Sequence, residues 1–383
     1  MAVLLDSAGG WLGTVLGIVV GLIPLIILHE FGHFLMAKRL GVWAREFGVG
    51  YPPRITKLFR WGETDFTLNW LPFGGFVRLE GEGVFEPSEE KAKELSEEEL
   101  AAKAEARAHS LYAQSPGRRT LLYLSGPLMN FIAAWVLATL LFMTGIPAVQ
   151  VVINEVVSGS PAAEAKMQVD DKIIAINGEA VETVDDVSRY TEESLGAPTE
   201  VTLERDGQTI TVSLVPRVNP PDGQGAMGIV IGSEMKPGQL KHYTPGESFV
   251  YGTRYISTMV GLTLALPVYI IRGLIPLKDA RPVGIVGIGQ IAQRSVEDSV
   301  AAGALYPFIN MVILISLSLA IFNLLPIPAL DGGRILFAVL EKLRGKPLTP
   351  ELEERIHMVT MALMLVLFLF ITALDIVAPV QLP

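Results

Sequence analysis

Two histidines and a glutamate form the pattern in this sequence that is best suited to chemistry. They occur in the stretch His29-Glu30-Phe31-Gly32-His33, which is a His-Glu-x-x-His motif. Residues four apart lie on one face of a helix, so both imidazoles can bind one metal ion. Zinc suits His ligands, and Glu30 can accept a proton from a water molecule that the metal activates. The pattern predicts a catalytic zinc centre with Glu30 as the general base.

Chance is the alternative explanation, because a random chain of this length would contain the motif in roughly 1% of cases. Histidines buried in a core are also commoner than zinc ligands. The surroundings favour the metal site. No Asp, Glu, Lys, Arg or His occurs between Asp6 and His29, and this apolar run is long enough for a membrane-spanning helix of about 20 residues. Ionisable groups at the end of such a helix are costly and are usually functional.

Composition places the chain among membrane proteins. Half of its 383 residues are hydrophobic, and its mean hydropathy is +0.43. The absence of cysteine excludes disulfides, Cys-ligated zinc and a thiol nucleophile. A net charge of -10 argues against a nucleic-acid partner, which would require a basic face.

Apolar runs predict four transmembrane helices, at residues 12–40, 121–143, 306–325 and 358–376. Lys38 and Arg39 follow the motif directly, and Arg118 and Arg119 precede the second run. The positive-inside rule places these ends in the cytoplasm. Both termini are then outside, and the motif lies near the cytoplasmic side of the membrane.

Asp331 is the predicted third metal ligand. The third apolar run ends in Asn323-Leu-Leu-Pro-Ile-Pro-Ala-Leu-Asp331-Gly-Gly, in which two prolines break the helix. Four basic residues then mark the cytoplasmic side: Arg334, Lys342, Arg344 and Lys346. Asp331 is therefore expected at the same depth as His29 and His33. An Asp-Gly pair alone is a common turn, but here it coincides with an unfilled coordination position.

The segments between the first two spans differ in character. Residues 41–84 are rich in Gly, Pro and aromatic residues, which indicates short strands or hairpins. They form either a small cytoplasmic β element or a β-loop that dips into the membrane, where its edge can pair with an extended substrate. Residues 85–117 indicate a solvated charged helix with a capping box at Ser96 and Glu99. His109 and His357 are predicted to be incidental.

Residues 147–217 are predicted to form a soluble domain outside the membrane. Strands, two short helices and the turns Asn177-Gly178 and Asp206-Gly207 follow in an order that resembles a circularly permuted bacterial PDZ domain. Such domains bind a peptide as an added strand. One departure is Val169-Asp170-Asp171, where PDZ domains usually have a Gly before the Asp.

The stretch 218–302 is predicted to contain a linker and an interfacial helix. Residues 249–275 are apolar but interrupted by charges and a proline, so they form either an interfacial helix or a poor span. The interfacial placement is preferred, because a further span would put Asp331 on the wrong side.

Taken together, these motifs resemble the bacterial site-2 proteases, intramembrane zinc metalloproteases of the regulator of sigma-E protease type. The resemblance covers nearly the whole chain. It rests on the His-Glu-x-x-His motif, the Phe73–Val77 run, Gly126-Pro-Leu-Met-Asn130, the PDZ insertion and the stretch from Asn323 to Gly332. A single PDZ domain differs from family members that carry two. Asn130, inside the second span, is expected to hydrogen-bond another helix.

The resemblance implies a role for each matching residue. His29, His33 and Asp331 correspond to the family's zinc ligands, and Glu30 to its catalytic glutamate. Asn323 corresponds to a residue that holds the substrate backbone. A membrane-embedded β-loop that presents the substrate corresponds to Gly74, Gly75, Phe76 and Val77. Anti-sigma factors and remnant signal peptides are the implied substrates.

The sequence thus predicts an α-helical polytopic membrane protein of about four transmembrane helices, with a membrane-associated β-loop and an inserted extracytoplasmic α+β PDZ domain. The predicted segments are 1–40, the first span; 41–84, the membrane-reentrant β-loop; 85–117, the charged helix; 118–145, the second span; 147–217, the PDZ domain; 218–302, the linker and interfacial helix; 303–334, the third span; 335–355, a cytoplasmic segment; and 356–378, the fourth span.

The predicted function is hydrolysis of peptide bonds in transmembrane helices by a zinc endopeptidase of the bacterial inner membrane. Its partners are membrane-protein substrates, peptide C-termini at the PDZ domain and lipid, without nucleic acid. The PDZ domain and both termini are extracytoplasmic, and the active site faces the cytoplasmic side. The alternatives are an inactive PDZ scaffold, which predicts loss of Glu30 or a ligand, and a metal transporter, which needs ionisable residues along several spans.

Overall fold

The computed structural model describes residues 18–82, 96–276 and 281–378. They fall into two compact units. The described residues up to Thr144 and from Tyr243 onward form one unit, and Gly145–His242 form the other. A π-helical turn at Ile18–Leu22 precedes the first α-helix. In chain order the elements are α1 (Ile23–Leu40), β1 (Ala44–Trp61), β2 (Thr64–Leu79), α2 (Glu97–Ala108), α3 (Pro116–Thr144), β3 (Ile146–Val156), α4 (Pro161–Glu164), β4 (Lys172–Ile176), β5 (Glu179–Ala180), α5 (Val184–Glu193), β6 (Thr199–Arg205), β7 (Gln208–Leu214), β8 (Ile229–Lys241), α6 (Pro245–Ile271), α7 (Ile285–Ala302), α8 (Tyr306–Asn323), α9 (Asp331–Arg344) and α10 (Pro350–Val377).

Several helices of the first unit are suited to a membrane, which confirms the predicted helical membrane protein. Five in the described part of the chain are long and apolar enough to cross a bilayer: Val19–Leu40, Pro116–Thr144, Pro245–Ile271, Tyr306–Asn323 and Arg355–Val377. Four of these coincide with the predicted spans. The fifth, α6, is one continuous helix that includes most of the stretch predicted to be interfacial.

The strands β1 and β2 form a hairpin that is folded over on itself. Phe47 pairs with Val77 on one side and with Phe66 on the other, and Phe66 pairs in turn with Phe59. One row across the sheet thus contains Val77, Phe47, Phe66 and Phe59. Two long strands therefore produce four strand segments. The late part of β2 and the late part of β1 form the two outer edges.

Phe34 docks this folded hairpin onto α1. Its fully buried ring lies one residue after His33 and contacts the rings of Phe47 and Phe66, with centroids 5.7 and 5.6 Å apart. On the same sheet, the buried Glu46 carboxylate accepts hydrogen bonds from Arg54 at 2.7 Å and from Thr67 at 2.8 Å. An apolar contact and a polar network thus fix the hairpin beside the motif helix.

The charged helix α2 begins with the predicted capping box. The Ser96 hydroxyl accepts from the Glu99 amide, and the Glu99 carboxylate accepts from the Ser96 amide. His109, at the end of α2, makes a structural contact, since its ring stacks on Trp43 with centroids 4.5 Å apart. Its Nδ1 also lies 2.8 Å from the Gly41 carbonyl oxygen. Residues 83–95, at the start of the predicted charged segment, lie outside the described residues.

The second unit is an antiparallel sheet in the order β7-β6-β4-β3-β8, with β5 paired to β4. Twelve buried residues form its core, among them Val151, Ile153, Ile176, Val201 and Leu203. The predicted turns are confirmed, since Asn177, Gly178, Asp206 and Gly207 all have positive φ.

The predicted domain boundary at residue 217 is wrong. Strand β8 lies beyond it, within the stretch predicted to be linker, and pairs with β3 from Ile146 opposite Lys241 to Val156 opposite Ile229. Gly232, Pro237 and Gly238 obscure the strand pattern in the sequence. Pairing with a distant strand overrides this weak local propensity.

Asp171 stabilises this sheet from within. Its carboxylate is fully buried and accepts two hydrogen bonds from Arg205, both at 2.6 Å, and one from the Gln168 amide at 2.8 Å. Asp170 beside it has φ of 69°, the left-handed conformation that the usual glycine adopts easily and that Asp tolerates. The departure from the PDZ pattern is therefore accommodated in the backbone.

Asp171→Ala should lower the free energy of unfolding of this unit by about 2–4 kcal/mol, because it removes the buried carboxylate that accepts from the Arg205 guanidinium and from the main-chain N–H of Gln168. Faster amide hydrogen exchange in β3 and β4 of the full chain would measure the loss. Exposed Asp222→Ala is the control and should change nothing. Equal exchange in both variants would contradict the role assigned to Asp171.

Candidate metal centre and active-site cavity

Helix α1 carries the His-Glu-x-x-His motif as predicted. His29 and His33 are both buried, and their Nε2 atoms lie 3.3 Å apart. His33 Nδ1 lies 2.9 Å from the Leu122 carbonyl oxygen on α3. Because a carbonyl can only accept, Nδ1 carries the proton, and the lone pair of His33 Nε2 points toward His29.

Close packing of α3 against α1 brings these rings together. A Cβ built on Gly126 would lie 2.2 Å from His33 Nε2 and 2.9 Å from His29 Cε1. Only a hydrogen atom fits at this position. Glycine is therefore required where α3 passes the two imidazoles.

The structure brings Asp331 to the same point. Its Oδ2 lies 3.1 Å from His29 Nε2 and 3.3 Å from His33 Nε2. Asp331 is the first residue of α9, a helix that crosses the boundary between the predicted third span and the predicted cytoplasmic segment. Gly332 and Gly333 allow the loop before α9 to fold back closely, because a Cβ on either would lie within 2.3 Å of a loop carbonyl oxygen.

The three atoms fit a metal ion. Asp331 Oδ2 is buried and has no hydrogen-bond partner among the described residues, although two ring nitrogens lie within 3.3 Å. Bonds of about 2.0–2.1 Å at a tetrahedral angle separate ligand atoms by about 3.3–3.4 Å. Two imidazole nitrogens and one carboxylate oxygen match catalytic zinc, which keeps a fourth position open.

Two ion pairs hold α9 in place. Arg334 pairs with Glu82 at the end of the hairpin and lies over the Tyr123 ring, 5.6 Å from its centroid. Seven residues later on the same face of the helix, Glu341 pairs with Arg119 of α3. Arg119 belongs to α3 and Glu82 follows β2 by three residues. Both α3 and β2 pack against α1, so the two pairs fix the helix that carries Asp331.

A cavity of about 600 Å³ surrounds the three candidate ligands. Glu30 and Asn323 line it, as do three of the four predicted β-loop residues, Gly75, Phe76 and Val77. Gly74 is not among the lining residues; its Cβ position faces the Tyr51 ring at 2.6 Å. The outer edge of β2 thus borders the cavity, and a Cβ on Gly75 would lie 3.6 Å from Glu30 Cγ.

Several residues that line the cavity were not predicted from the sequence as site residues. His357, predicted to be incidental, is one of them, and its Nδ1 lies 3.1 Å from the Pro328 carbonyl oxygen. Tyr51, Tyr123 and Arg334 also line the cavity.

Asp331→Asn should weaken zinc binding by more than about 100-fold, because loss of an outer partner of a ligand alone costs about 10–100-fold. Metal content after titration with a competing chelator measures the effect. Asp298→Asn, at an exposed position on α7, is the control. Full zinc occupancy in the Asp331 variant would refute this ligand.

Comparison with known proteins gives a match along nearly the whole chain. The sequence model of peptidase family M50 matches residues 17–367. Zinc metalloprotease RasP of Geobacillus kaustophilus is 29% identical, over 95% of this chain and 98% of that protein. Regulator of sigma-W protease RasP of Bacillus subtilis is 26% identical, over 96% of this chain and 99% of that protein.

A solved structure similar to part of the chain is the PDZ domain of an SdrC-like protein from Listeria monocytogenes. It is 18% identical and covers 21% of this chain and 85% of that chain, with a TM-score of 0.19.

Proposed function

Because this chain belongs to peptidase family M50, we propose that this zinc metalloprotease hydrolyses peptide bonds within or near transmembrane helices of membrane-protein substrates. The observation that carries the proposal is the convergence of His29, His33 and Asp331. They meet between α1 and α3, two helices long and apolar enough to cross a membrane. A bond cleaved at this centre would lie at membrane depth.

In the proposed mechanism, His29, His33 and Asp331 hold zinc, and Glu30 moves the proton. Zinc, when bound, supplies Lewis acidity toward a water molecule and the scissile carbonyl. Glu30 accepts a proton from the attacking water and returns it to the leaving nitrogen. Glu30 lies between the two histidines in the sequence of α1 and beside the edge of β2, and this position supports both proton transfers.

The substrate helix must unwind locally, because its peptide groups are hydrogen-bonded within the helix and face lipid. Each freed group costs several kcal/mol in hydrocarbon unless it finds a partner. The outer edge of β2, at Gly75–Val77, lies beside Glu30 and pairs on that side with no other strand among the described residues, so an added strand can use its backbone groups. We assign to Asn323, which also lines the cavity, a further hydrogen bond to the unwound backbone.

We interpret Gly145–His242 as a PDZ domain that binds peptide C-termini outside the cytoplasm, on the basis of its element order. The charge pattern around the spans supports an active site toward the cytoplasmic side and extracytoplasmic termini. The Bacillus subtilis relative is named a regulator of sigma-W, which supports membrane-anchored regulators of transcription as one substrate class.

Helix contacts support four spans with α6 outside the membrane core. The start of α6 lies at the far end of α3, where Tyr251 stacks on Phe142 with ring centroids 5.8 Å apart. The start of α7 lies at the far end of α10, where the Gly284 amide donates to Asp375 Oδ2 at 2.9 Å.

Both ends of this connection therefore lie away from the metal centre. His357 marks the near end of α10, and Asp375 follows 18 residues later, which is about 27 Å along a helix. If α6 crossed the membrane, the chain would have to cross back within the 13 positions from Ile271 to Gly284. A return helix takes about 20 residues, so the interfacial placement of α6 is favoured.

Reconstitution with a single-span substrate tests the proposed function. Purified protein and substrate are mixed in liposomes, and fragment masses locate the cut. We expect a cut inside or next to the span, which stops when zinc is chelated and resumes when zinc is restored. Cleavage only of soluble loops far from the span would overturn the intramembrane assignment.

A further inference from the structure

Asn130 has no role in the mechanism above, yet it lies against the metal centre. It is fully buried on α3, one turn after Gly126, and it lines the active-site cavity. The Ser316 hydroxyl on α8 donates to its main-chain oxygen at 2.8 Å. This bond joins α3 to α8 through the main chain and does not involve the side chain of Asn130.

The side chain points at His29. Asn130 Nδ2 lies 3.5 Å from His29 Nδ1, and Asn130 Oδ1 is buried without a hydrogen-bond partner among the described residues. A buried amide oxygen without a hydrogen-bond partner is destabilising. The two ends of an amide have the same shape, so their assignment depends on the hydrogen-bond network.

The position of the ring proton of His29 decides which end of the Asn130 amide faces the ring. His29 Nε2 faces Asp331 Oδ2 and His33 Nε2. For Nε2 to offer a lone pair to a metal, the neutral imidazole must carry its proton on Nδ1. Nδ1–H needs an acceptor, and an amide nitrogen cannot accept. Exchanging the amide ends places Oδ1 at Nδ1–H and gives the unpaired oxygen its donor.

We propose that Asn130 is the positioning residue of His29: its Oδ1 accepts the Nδ1–H hydrogen bond and fixes the tautomer and the ring orientation. Leu122 does the same for His33 through its carbonyl oxygen. One helix, α3, thereby orients both histidines of the motif. The inference rests on the proposed zinc site, and outer partners of this kind typically contribute 10–100-fold in metal affinity.

Metal titration of the full-length protein in detergent tests the proposal. Zinc affinity is measured by competition with a chelator, and the visible spectrum is recorded with Co²⁺ bound. Asn130→Leu removes the acceptor at similar size and should weaken zinc binding 10–100-fold and change the Co²⁺ spectrum. Asn130→Asp keeps an acceptor and should bind zinc as tightly as the wild type. Ser316→Ala is the control, because it removes only the bond to the main chain.

Several results would overturn the proposal. Equal zinc affinity in Asn130→Leu and the wild type would show that Asn130 does not position His29. A fall in proteolysis at equal zinc affinity would mean that Asn130 acts on the substrate instead. Equal loss in Asn130→Leu and Asn130→Asp would indicate packing alone. If Asn130→Leu fails to fold, Asn130→Ala replaces it. A wild type without stoichiometric zinc would instead refute the metal centre itself.

Discussion

Replacing Gly126 with alanine is expected to abolish zinc binding and proteolysis while most of the protein stays folded. The new methyl carbon would lie 2.2 Å from His33 Nε2, far inside van der Waals contact. Either α3 moves away from α1 or the imidazoles turn out of position. Displacement of a catalytic group by about 1 Å can cost about 100-fold in rate.

Gly117→Ala provides the matched control. It lies on the same helix, and a Cβ there meets no atom within 4 Å. We expect this variant to keep zinc affinity and activity. Zinc content and cleavage rates of both variants, with helicity by circular dichroism, are the measurements. Normal zinc binding by Gly126→Ala would mean that the two helices are not packed as described.

Glu30→Gln should lower the cleavage rate by about 10²–10⁴-fold, the usual contribution of a general base, and should leave zinc affinity unchanged. Glutamine keeps the size of the side chain but cannot accept the proton from water. The variant should therefore retain substrates instead of releasing products. Cleavage assays, zinc titration and proteomics of co-purified membrane fragments test the three expectations.

Glu63→Gln is the control for this substitution, because Glu63 pairs with Lys38 and does not line the active-site cavity. It should cleave at the wild-type rate. Unaltered cleavage by Glu30→Gln would refute the proposed base. A loss of zinc in that variant would show instead that Glu30 supports the metal.

The parts of the site that follow a local rule were predictable from the sequence. The spacing of His29 and His33 needs only helical periodicity, and topology directed attention to Asp331 across the whole chain. The structure brings these three together. Capping at Ser96 and the turn at Asp206 are equally local and were also predicted correctly.

The parts that depend on distant pairing were not predictable. Strand β8 exists because β3 pairs with it, so its glycines and proline concealed it. Phe47 pairs with two segments of β2, and no periodicity indicates that a hairpin folds over itself. His357 lacks any motif and reaches the cavity only through the placement of α10.

The distance in sequence between the metal ligands has a consequence for biosynthesis. Asp331 follows His29 by 302 positions, and translation at about 5–20 residues per second takes roughly 15–60 s to add them. A nascent chain therefore carries the motif helix without its third ligand while α3 and the second unit are made. The candidate metal site is completed only when Asp331 has been added, so a partly synthesised chain lacks the full set of zinc ligands.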